Sequence, residues 1–309
     1  MATVLKAGGL LGSLPVDLKR EILETIAYVY PHVAPRLTLV SRDVQRWIEQ
    51  IIYREIFLMN NHHLGFFHSH DDGANSLTLL QKFTRTMETR PASFFADHVK
   101  TLHFDGPFVV ATILSILKVC TGVTNLGCYA RIEVPEDQSD TTTEPVYRAI
   151  HTLPLQRLFI SQENLDALLQ VDVSDSLLKN VTHLAVVDGW NFHPSRFPNL
   201  THLAVIPDVD GRFATYVKQA LANTQIVSVV AMLNYVNSTK TSKPLQELKD
   251  SADPRFVVFT LPLSEKRFIE DDLWDLAMEF PDEDQPVAYL DEIPGPRLLS
   301  FAELSALGL

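Results

Sequence analysis

The sequence predicts an α/β fold in which strand–helix repeats stack on a shared parallel sheet, with a helical module in front and an acidic helical cap behind. Three observations carry this expectation. One five-residue string occurs twice, as Thr182-His183-Leu184-Ala185-Val186 and Thr201-His202-Leu203-Ala204-Val205. A looser frame, apolar-x-x-Leu-x-apolar, occurs three more times upstream, centred on Leu102, Leu126 and Leu158. Ile226–Met232 and Phe256–Leu261 are almost continuously apolar, the composition of parallel strands covered on both faces. The central leucines are 24, 32, 26 and 19 residues apart, an irregular period overlapping that of leucine-rich units. Such units bury their apolar faces only by stacking on one another, so an irregular solenoid is expected.

Taken in order, residues 1–13 form an expected flexible lead-in. At Leu14-Pro15-Val16-Asp17 a proline stands where a helix can start, and the acid lies in or near the first turn, where it complements the helix dipole. Leu18, Ile22, Ile26 and Val29 then recur on one helical face, and Tyr30 before Pro31 ends the helix. A second helix is expected from about Pro35 to Tyr53, with the stripe Leu37, Val40, Val44, Trp47 and Ile51. Residues 14–57, ending in a strand-like Ile56-Phe57-Leu58, make the helical module. Residues 58–95 hold a polar loop and a linking helix marked by Leu77, Leu80, Phe83 and Thr84 before Pro91.

The repeat region, 96–262, starts with a strand at Val99–Phe104 and a helix at Val109–Val119, followed by a strand at Val123–Cys128. Residues 133–145 read as an inserted loop that accounts for the longest gap. A strand at Leu155–Ile160, a helix at Leu165, Leu168 and Leu169, the twin strands and a helix at Ala214–Leu221 continue the pattern. Residues 263–309 form the acidic cap and tail, with Leu273, Leu276, Ala277 and Phe280 at helical spacing.

With 309 residues, 46% of them apolar, the chain can bury a large core. The longest apolar run, Phe108 to Leu117, falls well short of the ~20 residues that span a bilayer, so no membrane segment is expected. The absence of a signal-like N-terminus and the two cysteines, Cys120 and Cys128, fit a reducing compartment, cytoplasm or nucleus. Between Glu265 and Glu292 eleven acids face two bases, so this stretch supplies most of the net charge of −12. The remainder is nearly neutral and lacks a basic stripe, which disfavours nucleic acid as a partner.

Candidate chemistry is sparse. His62, His63, His68 and His70 with Asp71 and Asp72 offer zinc-ligand types, but in a polar loop without a fixed second shell they read as solvated, and no metal or cofactor is expected. His183 and His202 hold matching repeat positions on the face opposite Leu184 and Val186. They line a client surface or fill a hydrogen-bonded slot in the repeat. Cys120 and Cys128 read as small buried hydrophobes. Gly8-Gly9-Leu10-Leu11-Gly12 follows no strand and is no dinucleotide loop, and no nucleotide, hydrolase or metalloprotease motif occurs.

Leu14-Pro15-x-Asp17-Leu18…Ile22-Leu23, followed by Leu37-x-x-Val40-Ser41-Arg42…Trp47, resembles an F-box, the helical module that docks on the adaptor subunit of SCF-type cullin–RING ubiquitin ligases. More narrowly, the chain is similar to F-box-like proteins of mushroom-forming fungi. The Thr-His-Leu repeats, Asp253-Pro254-Arg255-Phe256-Val257-Val258 and Asp271-Asp272-Leu273-Trp274 carry that similarity over roughly Leu14 to Phe280. Asp17 stands where F-boxes usually have Glu. The resemblance implies a non-catalytic substrate receptor in which Leu14, Pro15, Ile22, Leu37, Val40, Ser41 and Trp47 contact the adaptor. The repeat surface, with His183 and His202, would hold a protein client. The alternatives are a repeat scaffold whose helical pair is only a cap, and an enzyme with an unrecognised site.

Overall fold

The computed structural model describes residues 14–60, 78–134, 142–171, 178–187, 196–205, 213–234, 248 and 253–261. Helix α1 (Val16–Val29) starts after Pro15, whose φ of −53° suits a helix entrance, and stops where Tyr30 meets Pro31. The single long helix expected from Pro35 to Tyr53 is instead two, α2 (Ala34–Leu37) and α3 (Arg42–Ile52). The break is local chemistry at Ser41. Its backbone is extended (φ −163°, ψ 166°), and its hydroxyl accepts from the Val44 amide at 3.2 Å, capping α3 afresh. The expected stripe is therefore interrupted. Val44 and Ile48 point inward with Ala27 and Ala34, flanked by Leu23, Leu37, Trp47, Ile51 and Ile52, and these residues form a small core of their own.

Strand β1 (Glu55–Met59) follows directly and belongs to the main sheet. Thr78 and Gln81 form a reciprocal capping box on α4 (Leu79–Thr89), and Pro91 leads into α5 (Ala92–His98). Then come β2 (Thr101–Asp105), β3 (Pro107–Val109), α6 (Val110–Val119), β4 (Asn125–Cys128), β5 (Arg131–Glu133) and α7 (Glu144–His151). They are followed by β6 (Arg157–Ser161), α8 (Gln162–Gln170), β7 (His183–Val187), β8 (His202–Val205), α9 (Phe213–Ala222), β9 (Ser228–Asn234) and β10 (Phe256–Leu261). The lead-in, the His62–Asp72 loop and the acidic cap expected from the sequence lie outside the described residues.

The chain is mixed α/β with one eight-stranded parallel sheet, order β1-β2-β4-β6-β7-β8-β9-β10, and a two-stranded β3–β5 pair beside it. Spatial order thus follows chain order without a reversal. The five frame leucines fall in one register row, Leu102, Leu126, Leu158, Leu184 and Leu203, extended by Ile56 at one end and Val229 at the other. All are buried in one continuous core with Ile113, Ile116, Ile150, Leu165, Leu168 and Val217 from the helices. At roughly 2 kcal/mol for each buried leucine, this row is a principal source of stability.

The threonine of the Thr-His-Leu frame has a separate task. At each step one carbonyl accepts two successive amides of the next unit: Gln156 O takes Thr182 N (2.9 Å) and His183 N (3.2 Å), and Thr182 O takes Thr201 N (2.9 Å) and His202 N (3.0 Å). Arg54, Lys100, Thr124 and Thr201 carbonyls do the same for their neighbours. The Thr182 and Thr201 hydroxyls donate to the same carbonyls, at 3.3 and 3.1 Å. Threonine here fastens consecutive units at the strand entrance, its hydroxyl sharing a carbonyl oxygen that the two amides already use.

Asn164, in the first turn of α8, ties three elements together. Its amide nitrogen donates to Cys128 O (3.2 Å) and Ala130 O (2.9 Å), and its oxygen accepts from the Tyr147 hydroxyl of α7 (2.9 Å). The helices α5 and α7 and the β3–β5 pair go beyond the sequence reading. The 32-residue gap between Leu126 and Leu158 contains α7 as well as an insertion, of which residues 135–141 lie outside the described set.

Candidate interaction surfaces

The helical module turns some of its apolar residues inward and some outward. Leu37 and Trp47 pack on its core, and Ser41 is occupied as the α3 cap. Leu14 is half-buried. Pro15, Ile22 and Val40 are exposed, Val40 at 64%. Beside them stand three large apolar residues absent from the expected set: Val16, Leu18 and Leu39, the last 84% exposed. Leu18 and Ile22 are four apart, hence neighbours on one face of α1, while Leu39 and Val40 occupy the turn that the Ser41 break creates. Helical spacing alone marks both faces of so short a helix as apolar, so the sequence does not separate them.

The module is joined to the sheet through a nearly buried carboxylate. Glu49 on α3 pairs with Arg90, between α4 and α5, and accepts from Gln45 Nε2 at 2.8 Å. The Arg90 guanidinium also sits 4.9 Å above the Phe94 ring. A cleft of about 450 Å³ between α1, α3 and α5 is lined by Arg20, Arg54 and Lys100 but also by Glu24 and Asp97, so its charge is mixed.

The second candidate surface is the sheet face opposite the leucine row. One register row reads Thr101, Asn125, Arg157, His183, His202 and Ser228, and the next reads His103, Gly127, Phe159, Ala185, Ala204 and Val230. His183 and His202 stack with centroids 4.2 Å apart and planes 4° from parallel. Each Nδ1 lies 2.8 Å from the hydroxyl of the preceding threonine. Each hydroxyl proton goes to a carbonyl, so Nδ1 is the donor in both rings and Nε2 is left as the acceptor. Burial pushes the His183 pKa down to about 3, aided by the charges of His202 and Arg157, and lowers that of His202 for the same first reason. At neutral pH the pair is therefore uncharged.

His103 repeats the stacking on Phe57 (4.2 Å, 4°), and burial lowers its pKa to about 4. It lies flat against Gly127, where an added Cβ would come within 2.0 Å of its Nδ1. Gly127→Ala is expected to expel the imidazole from the Phe57 stack and to cost roughly 1–3 kcal/mol of stability, readable in a urea melt.

The cysteines are protonated thiols at neutral pH. Both are buried and unbridged, and burial pushes each thiol up to about 12. Among the described residues no group of three or more His, Cys, Asp or Glu is placed to hold a metal ion, and no helix is long and apolar enough to cross a membrane. Comparison of the chain with family models and with curated proteins produced no match.

Proposed function

We propose that the chain is a non-catalytic receptor whose helical module binds the adaptor subunit of an SCF-type cullin–RING ubiquitin ligase and whose repeat surface binds a protein client, in the cytoplasm or nucleus. The observation that carries the reading is the outward set Pro15, Val16, Leu18, Ile22, Leu39 and Val40 on a module that already has its own core. Residues needed only for a cap have no reason to leave such side chains in water, and apolar anchors of this kind dominate interface energies. The F-box resemblance supplies the partner. A sheet whose strands succeed one another in chain order, with a single leucine row, supports an irregular leucine-rich-like solenoid as the client platform. The receptor would act by raising the local concentration of client near the ubiquitin-charged enzyme.

A pull-down with purified adaptor tests this. Wild-type protein is expected to retain the adaptor, and L18D/I22D/V40D to lose at least about tenfold in affinity with its thermal midpoint unchanged, since all three sites are exposed. Leu37→Ala and Trp47→Ala would instead loosen the module itself. Failure of the wild type to bind, or equal binding by the triple variant, leaves the scaffold reading, which the inward use of Leu37, Ser41 and Trp47 favours.

A further inference from the structure

We propose that the cleft between α1, α3 and α5 binds a single carboxylate, carried by a small acid or by a side chain of a bound protein, and that its occupation links the helical module to the first repeat. At about 450 Å³ the cleft has the size of a small-ligand site, and it lies at the junction of two parts with separate cores, where such sites concentrate. Within its charged lining, Arg20 and Glu24 neutralise each other at 2.6 Å. Arg54, Lys100 and Asp97 remain, so three cations stand against two acids and one further negative charge completes the balance.

The donors are placed by the backbone. The Arg54 carbonyl accepts the Lys100 and Thr101 amides, both at 2.9 Å, which fixes the roots of two cations beside each other. The Arg54 guanidinium donates to the Tyr28 hydroxyl at 3.3 Å, which leaves most of its planar fork and the hydroxyl proton for a ligand. The Lys100 ammonium donates one hydrogen to Ala96 O at 3.2 Å and keeps the others. Gly122 makes room for this seat: a Cβ there would come within 1.9 Å of Ala96 O and 3.1 Å of Lys100 Nζ. The neighbouring wall is fixed as well, because His98 donates from Nδ1 to Phe94 O at 2.7 Å and stacks on the Phe94 ring. A carboxylate matches this set, since its two oxygens accept a guanidinium fork side by side. A dianion would overshoot the charge of a cleft that also contains Asp97. Bound there, the carboxylate meets Tyr28 of α1, Arg54 between α3 and β1, and Lys100 before β2, and so stabilises one placement of the module against the sheet. This holds whether or not the module engages a ligase adaptor.

Acetylation of the full chain by N-hydroxysuccinimidyl acetate, read by mass spectrometry, reports the site through Lys100, with the exposed Lys118 as internal reference. At constant ionic strength, propionate is expected to half-protect Lys100 at about 1–10 mM and to leave Lys118 unaffected, while propionamide protects neither. Arg54→Gln, which keeps the backbone carbonyl, should raise that concentration about tenfold. Asp97→Asn, which removes a repelling charge, should lower it about threefold. Both side chains are exposed, so an unchanged circular dichroism spectrum and thermal midpoint are expected of both variants. The peptide acetyl-Gly-Glu-Gly-amide separates the two sources: stronger protection than by propionate assigns the carboxylate to a protein chain, and equal protection assigns it to a free acid. The proposal is overturned by an absence of selective protection at Lys100, by an unchanged value in Arg54→Gln or by weaker binding in Asp97→Asn. Stronger protection by inorganic phosphate, a dianion at pH 7.5, overturns it equally. Should Arg54→Gln unfold, Asp97→Asn and the phosphate comparison on the native chain decide.

Discussion

Asn164→Ala is expected to lower the unfolding free energy by about 4 kcal/mol, the largest effect of any single polar substitution in the described residues. The side chain is 4% exposed and uses both donors and its acceptor on buried partners. Truncation strands the Cys128 and Ala130 carbonyls and the Tyr147 hydroxyl together, each losing its bond where water cannot replace it. The same site joins the end of β4, the start of α8 and the body of α7, so the defect falls between two consecutive repeats. Tyr147→Phe removes one of the three bonds and is expected to cost about 1–2 kcal/mol. Gln162→Ala, one position beyond the Ser161 cap and only half-buried, removes a bond to Asp166 and should cost less than either, about 0.5–1 kcal/mol. Urea denaturation of the three variants gives the ranking. Equal costs for Asn164→Ala and Tyr147→Phe would show that the two carbonyl bonds carry little.

The sheet was legible because its signal is repeated. Leu102, Leu126, Leu158, Leu184 and Leu203 share one physical environment, so the same frame recurs and the register can be written from the sequence. The frame's threonine and histidine are equally visible, though not their division of labour: Thr182 and Thr201 bind the preceding unit, and the histidines stack across strands. Elements that occur once were harder. Helix α7 is eight residues long, and its buried Val146, Tyr147, His151 and Ile150 include two residue types that hydropathy counts as polar or ambiguous. The Ser41 break was hidden because Leu37, Val40 and Val44 keep helical spacing straight through it. Only the competition between the serine hydroxyl and the helical backbone reveals it. For the helical module the sequence identifies apolar positions, but which face is inward depends on tertiary partners such as Ala27 and Ala34, whose small side chains carry almost no periodic signal.

The second face makes the protein acid-sensitive in a defined window. A histidine held neutral in the fold binds its proton in the unfolded chain first, so stability falls as pH drops from about 6.5 towards the folded pKa, and is complete above that range. For His103, lowered to about 4 by burial, the loss is about 2 kcal/mol by pH 5 and roughly 3 kcal/mol by pH 4. His183 and His202 act in the same direction, His183 over a wider span because its value falls to about 3, with their share reduced by partial solvent contact. Protonating either ring of the stacked pair also places a cation near Arg157, a repulsion that works in the same direction. Asp253, whose carboxyl is held low by Arg255, contributes only below the ordinary carboxylate range and leaves the pH 5–6.5 interval to the imidazoles. Urea melts at pH 7.5 and 5.0 should therefore differ by at least about 2 kcal/mol, and His103→Gln should remove roughly that amount of the difference while H183Q/H202Q narrows the remainder. A wild-type protein equally stable at both pH values would mean that these imidazoles bind protons in the fold as readily as in the unfolded chain, against the lowering that their burial implies.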